Sequence, residues 1–156
     1  MIEIVKAEEK HVGDIGNLWW EFILFHQDID PIYTSLDGAI PGFIENHLRH
    51  FMESEDGLVL VAVDGKKVVG YSLSEIHRIS PGLKRDKYGY IDDMAVTLNY
   101  RRKGIGEMMV AIITKWFRAN DIKRVELGTT AKNKVANSFW QKQGFTVYRY
   151  TLYKNV

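Results

Sequence analysis

The chain contains no cysteine. That excludes disulfides, thiolate metal sites and a cysteine nucleophile. No stretch approaches the ~18 consecutive apolar residues that a membrane helix requires. The opening segment, MIEIVKAEEK, carries charges where a secretory signal would carry an apolar core. Charge of one sign is also missing, with 21 Lys+Arg against 20 Asp+Glu and a net charge of +1. A dedicated nucleic-acid or membrane-surface protein would show a basic excess, so neither partner is expected. No internal repeat or low-complexity linker interrupts the sequence. What remains is 156 residues, 46% apolar and 26% charged. This is enough for one domain, 1–156, with a core of its own, and a cytoplasmic location is expected.

Periodicity predicts the elements. Residues 2–6 alternate as a half-buried strand does. Over about 8–27, Val12, Ile15, Leu18, Trp19, Phe22, Ile23 and Phe25 recur at helical spacing. Pro31 and Gly38 break that pattern. A second helix is expected over about 40–53, with Phe43, Ile44, His47, Leu48 and Phe51 inward. GLVLVAV and KVVGYSLSEIH read as strands joined by an Asp-Gly turn at 64–67. Residues 78–87 form a polar loop and 88–96 another strand. A long helix follows, its apolar stripe formed by Ile105, Met108, Met109, Ile112, Ile113, Trp116 and Phe117. A strand at 123–129, a helix at 132–143 ended by Gly144, and a final strand or tight pair from Phe145 complete the order. The fold class is α/β (α+β), a mixed sheet with helices on its faces.

The stretch NYRRKGIGEMMV (99–110) places Gly104 and Gly106 behind Arg101, Arg102 and Lys103, at the start of that long helix. Unpaired N–H groups and the positive dipole end make a helix N-terminus suited to an anion, and glycine lets backbone approach it. A strand, basic loop, Gly-x-Gly and helix together suit a pyrophosphate. A Walker loop would need Gly-Lys-Ser/Thr here, where Ile105-Gly106-Glu107 stands. A dinucleotide fingerprint would need a third glycine where Met109 stands.

Two segments, DDMAVTLNYRRKGIGEMMV and NKVANSFWQKQGF, resemble the GNAT superfamily of N-acetyltransferases. Arg101-x-x-Gly104-x-Gly106 matches its signature. Asn133, Ala136, Phe139-Trp140 and Gly144-Phe145 match its second motif. The order of elements fits too. The resemblance implies a mostly antiparallel central sheet with helices on both faces, and acetyl-CoA as co-substrate. It implies a pyrophosphate held by the amides from Arg102 through Lys103, Gly104, Ile105 and Gly106 to Glu107. The pantetheine arm would lie along Met94, Ala95 and Val96, with an N–H near Met94 or Ala95 polarising the thioester carbonyl. Asn133 would bond the pantetheine, or else cap its helix. Trp140 would pack against the arm.

An alkyl ammonium, with a pKa near ~10, must lose a proton before it attacks. The resemblance points to a carboxylate on the strand as base, Asp92 or Asp93. Strict alternation puts Asp92 on one face with Tyr90, Met94 and Val96, and Asp93 on the other; a bulge would change this. The general acid is open. Many relatives carry tyrosine where Trp140 stands, and an indole N–H is no acid at neutral pH. Tyr148, Tyr150, Tyr153 or water are the alternatives. His26, Asp28, Asp30 and Tyr33 would suit a cationic amine acceptor. Lys84, Arg85, Asp86 and Lys87, across from them, would suit an acidic one. His47 and His50 lack a third ligand nearby in sequence, so no metal is expected. Met108 and Met109 read as core. The resemblance implies direct transfer to a small primary amine; a peptide acceptor and a non-catalytic acyl-CoA sensor stay open. A homodimer through the C-terminal strand is a further expectation from the resemblance.

Overall fold

The computed structural model describes residues 1–34, 37–79, 82 and 86–156. Lys84 and Arg85, in the loop expected over 78–87, lie outside the described residues. Five strands form one sheet in the order β1 (Ile2–Lys6), β2 (Gly57–Asp64), β3 (Lys67–Arg78), β4 (Lys87–Val96) and β5 (Val125–Leu127). The first four pair antiparallel, and β5 runs parallel to β4. The β2–β3 hairpin closes with Asp64 opposite Lys67 and Gly65 at φ 61°, the positive value that Asp-Gly supplies without strain.

Helix α1 (Val12–Ile29) and α2 cover one face. Helix α2 runs through Ala39–Phe43, a π-helical turn at Ile44–Leu48, and Arg49–Glu53. Val12, Ile15, Leu18, Phe43, Leu48 and Phe51 pack there on Val59, Val61, Tyr71 and Leu73. Helix α3 (Ile105–Ala119) lies on the opposite face. Its Ile105, Met109, Ile113 and Phe117 meet Leu58, Leu60, Val69 and Ile91, with Trp140 and Phe145 packed alongside. Each such large apolar side chain stabilises the fold by roughly 1.5–3 kcal/mol when fully buried. The stripe drawn from sequence on α3 is too wide: Met108 and Ile112 are exposed, so Met108 is not core. Met108 and Ile112 lie beside the buried row of Ile105, Met109 and Ile113 and turn toward solvent.

Helix α4 (Lys134–Lys142) ends before Gly144, which takes φ 88°. The final strand expected from Phe145 does not form: 145–156 carry neither strand nor helix. Its alternating pattern, FTVYRYTLYK, has β propensity. A strand exists only as one side of a ladder, and this segment has none within the described residues.

Candidate functional site

The parallel pairing of β4 with β5 is short. It runs Gly89 to Val125, Tyr90 to Glu126 and Ile91 to Leu127, and stops there. Beyond Ile91, β4 continues to Val96 paired, among the described residues, only with β3. Its other edge, from Asp92 to Val96, faces a cleft of about 770 Å³ instead of a strand. Leu127, Gly128, Thr129 and Thr130 line the opposite wall. Backbone N–H and C=O groups along such an edge lack a ladder and can bond an extended ligand. Met94, Ala95 and Val96 all border the cleft.

A bulge shapes this edge. Leu73 pairs with Asp93 and Ser74 with Ile91, so Asp92 is the extra residue. Strict alternation therefore fails here. Asp93 shares the α1/α2 face with Tyr71, Leu73 and Ala95, and Asp92 stands beside it. Met94 and Val96 fall on the α3 face, where they pack with Ile105 and Met109. The expectation that Asp92 shares a face with Met94 and Val96 is thus corrected, and two adjacent carboxylates point the same way.

His47 from the π turn of α2 meets them. Its Nε2–H donates to Asp92 Oδ2 at 2.7 Å, while Phe43 and Phe51 flank the ring. One ligand-type atom each from His47, Asp92 and Asp93 lies within 4.8 Å of the others. The 2.7 Å separation is that of a charge-assisted hydrogen bond; two ligands on one tetrahedral zinc would stand about 3.3 Å apart. The bond to Asp92 raises the His47 pKa, against the opposing effect of burial. Asp93 accepts from the buried Tyr71 hydroxyl at 3.3 Å. Burial, and then the Asp92 charge, push the Asp93 carboxyl up to about 6; His47 and Tyr71 hold it back. His50, expected alongside His47, goes elsewhere: it and His77 donate to Glu75 at 3.3 and 2.6 Å. Tyr88 bonds His77 Nδ1 at 3.0 Å.

At the other end of the cleft the loop before α3 uses positive φ twice, at Arg102 (60°) and Gly104 (78°). The first bond into the helix is Met108 N–H to Gly104 O, 3.0 Å. The amides of Ile105, Gly106 and Glu107 therefore lack an acceptor inside the helix. A Cβ on Gly104 would meet nothing within 4 Å, so the backbone conformation is what selects glycine there. Gly106 has a different reason. A Cβ there would come within 3.0 Å of the Phe139 ring, so this glycine lets α4 approach α3. The basic residues divide as well. Arg101 Nε donates to Val96 O at 2.8 Å, tying loop to strand. Lys103 sits over the Tyr100 ring and does not line the cleft, whereas Arg101, Arg102, Gly104, Ile105, Gly106 and Glu107 do. The free amides, the open Gly104 and the unpaired strand edge fit a pyrophosphate followed by an extended arm.

Asn133 caps α4, accepting from Ala136 N–H at 3.0 Å. Its Nδ2 donates to His26 Nε2 at 3.2 Å, and His26 Nδ1–H donates to Phe22 O at 2.9 Å. Both residues are buried and line the cleft, yet both ring nitrogens of His26 are engaged. His26 therefore offers a ring face, shared with Tyr33 at 5.2 Å between centroids. Of the four acceptor residues expected from sequence, Tyr33 and His26 border the cleft; Asp28 and Asp30 do not. Asp30 caps the turn Pro31–Tyr33 and bridges to Lys132 at 2.9 Å. Trp140 lines the cleft between Phe139 and Phe145. Tyr148, Tyr150 and Tyr153 are exposed and none lines it. Sequence reasoning missed Thr129 and Thr130. The available signal for the threonines was their place at the carboxyl end of a parallel strand, where open sheets bind ligands.

A strand parting from its neighbour over a glycine-loop helix, with carboxylates at the bulge, defines an acyl-CoA type of cleft. The comparisons agree. The profile of the Acetyltransferase (GNAT) family matches residues 18–145, and the chain belongs to that family. It is 25% identical over 146 residues to GCN5-related N-acetyltransferase 6, chloroplastic, of Arabidopsis thaliana, covering 94% of this chain and 40% of that one. It is 26% identical over 107 residues to Streptothricin acetyltransferase A of Bacillus subtilis (strain 168), covering 67% and 62%. The chain thus spans about two fifths to three fifths of these relatives. The solved aminoglycoside N-acetyltransferase AAC(6')-Iy in complex with CoA superposes with a TM-score of 0.74 at 12% identity, over 99% of both chains. Among the described residues no helix is long and apolar enough to cross a membrane.

Proposed function

We propose that the chain moves an acetyl group from acetyl-CoA to a primary amine on a small cationic molecule, by direct attack in a ternary complex. Acetyl-CoA, when bound, supplies an activated thioester. The amides from Arg102 to Glu107 hold its pyrophosphate, and the free edge at Met94, Ala95 and Val96 holds its arm. An N–H on that edge orients the carbonyl. Asp93 takes a proton from the arriving ammonium, and Asp92 makes the acceptor wall anionic. A carboxyl near 6 is ionised at neutral pH yet basic enough to accept that proton. Of the two protons the nitrogen loses, one leaves to solvent and one ends on the sulfur, by way of water.

The observation that carries this reading is the bulge, which brings two carboxylates together beside an unpaired strand edge. The CoA complex of AAC(6')-Iy supports the co-substrate, and the names of that neighbour and of the streptothricin enzyme support a cationic acceptor. Pairing into a homodimer belongs to the same proposal. Val147, Tyr148, Tyr150, Leu152 and Tyr153 are exposed on a segment with strand character, suited to the sheet edge of a second copy. The test is calorimetry with acetyl-CoA, followed by thiol release with a panel of diamines and aminoglycosides. One site per chain and turnover of a cationic amine is the expected result. No binding up to millimolar acetyl-CoA would overturn it.

A further inference from the structure

Two carboxylates side by side repel, and burial of one makes that costlier. Asp92 and Asp93 are such a pair. His47 is the cation placed to balance them. It reaches the bulge from a different element, in a π-helical turn, a rare geometry that is frequent at functional sites. Aromatic rings on both sides, Phe43 and Phe51, fix its orientation, and the ring edge remains open to water. The charged groups that act on it are Asp92 and Asp93 from β4 and Glu75 from β3, and Tyr71 and Tyr90 act in turn on those aspartates. His50 lies one turn along its own helix and bonds Glu75. Among the described residues no Lys or Arg acts on Asp93; the cation that does is His47.

We infer that His47 is a positioning residue of the transfer reaction, its imidazolium fixing Asp92 and supplying the counter-charge that lets Asp93 stay ionised beside it. This rests on the acetyltransferase reading above. Without the imidazolium, Asp93 keeps its proton to higher pH, and less of it is free to accept one from the ammonium near neutrality. The chemistry of transfer is unchanged; the fraction of protein with a competent base falls.

His47→Gln retains a donor for Asp92 and removes the charge. In this variant the acid limb of the kcat/KM pH profile moves up by about one unit, and kcat/KM falls about fivefold near pH 6 and about tenfold near pH 5. Affinity for acetyl-CoA stays within twofold. Added imidazole restores part of the activity of His47→Ala. A separate readout needs no turnover: in the full chain, the His47 ring titrates by NMR above the ordinary ~6.5, and Asp92→Asn lowers that midpoint. An active wild type whose acid limb does not move in His47→Gln overturns the role of His47 alone. A His47 ring that titrates at the ordinary value in both proteins does the same. A wild type that binds acetyl-CoA and acetylates no amine overturns the transferase reading, and this inference with it.

Discussion

Replacing Asp93 with asparagine should make the protein more stable and nearly inactive. The carboxyl is half-buried against Tyr71 beside Asp92, and its pKa rises from 3.8 to about 6. A raised carboxyl pKa means the folded state binds the proton more tightly than the unfolded chain. The ionised group therefore costs stability above about pH 6, and that cost fades as pH falls toward 4. A shift of about 2 units corresponds to about 3 kcal/mol. Asparagine keeps an oxygen for the Tyr71 hydroxyl and carries no charge, so most of that cost disappears. Urea unfolding at pH 8 should show the variant about 2–3 kcal/mol more stable, or roughly 5–10 °C higher in Tm. At pH 4.5 the difference should shrink to below about 1 kcal/mol. Other carboxylates oppose this trend, because Lys10 beside Glu8 and Arg49 beside Glu9 lower their pKa values. Only the difference between variant and wild type isolates Asp93. Turnover should fall about 10²–10³-fold, the range expected for a lost general base. An asparagine variant no more stable at pH 8, or with the same stability gap at both pH values, would refute the reasoning. Full activity would move the base to Asp92.

Gly104→Glu forces a side chain into φ 78° and puts negative charge at the free amides of α3. Acetyl-CoA binding measured by calorimetry should be lost, while circular dichroism keeps the helical signal. Deleting 146–156 removes the exposed apolar segment and spares Phe145, which packs against the α3 core. Light scattering should show a dimer for the full chain and a monomer for the truncated one.

Local chemistry determined much of this protein before any coordinates. Helical and strand periods placed α1, α2, α3 and α4 and the hairpin, because burial of one face repeats every 3.6 or 2 residues. Arg101, Gly104 and Gly106 marked, through the resemblance, the loop proposed to hold the cofactor. The reasons for the two glycines were not legible. Gly104 answers to its own φ, but Gly106 answers to Phe139, a residue 33 positions along the chain. Asp92 and Asp93 were named as a pair, yet which way each points depends on a register shift against β3. No pattern within β4 reveals that. His47 was read as an inner-face residue with no third partner in sequence; folding supplied Asp92 from 45 residues away. Asn133 and His26 became one hydrogen-bonded unit across 107 positions. The final strand failed for the same reason in reverse. Its alternation is written in 145–156, but a strand needs a partner edge, and whether one is there is decided by the whole fold.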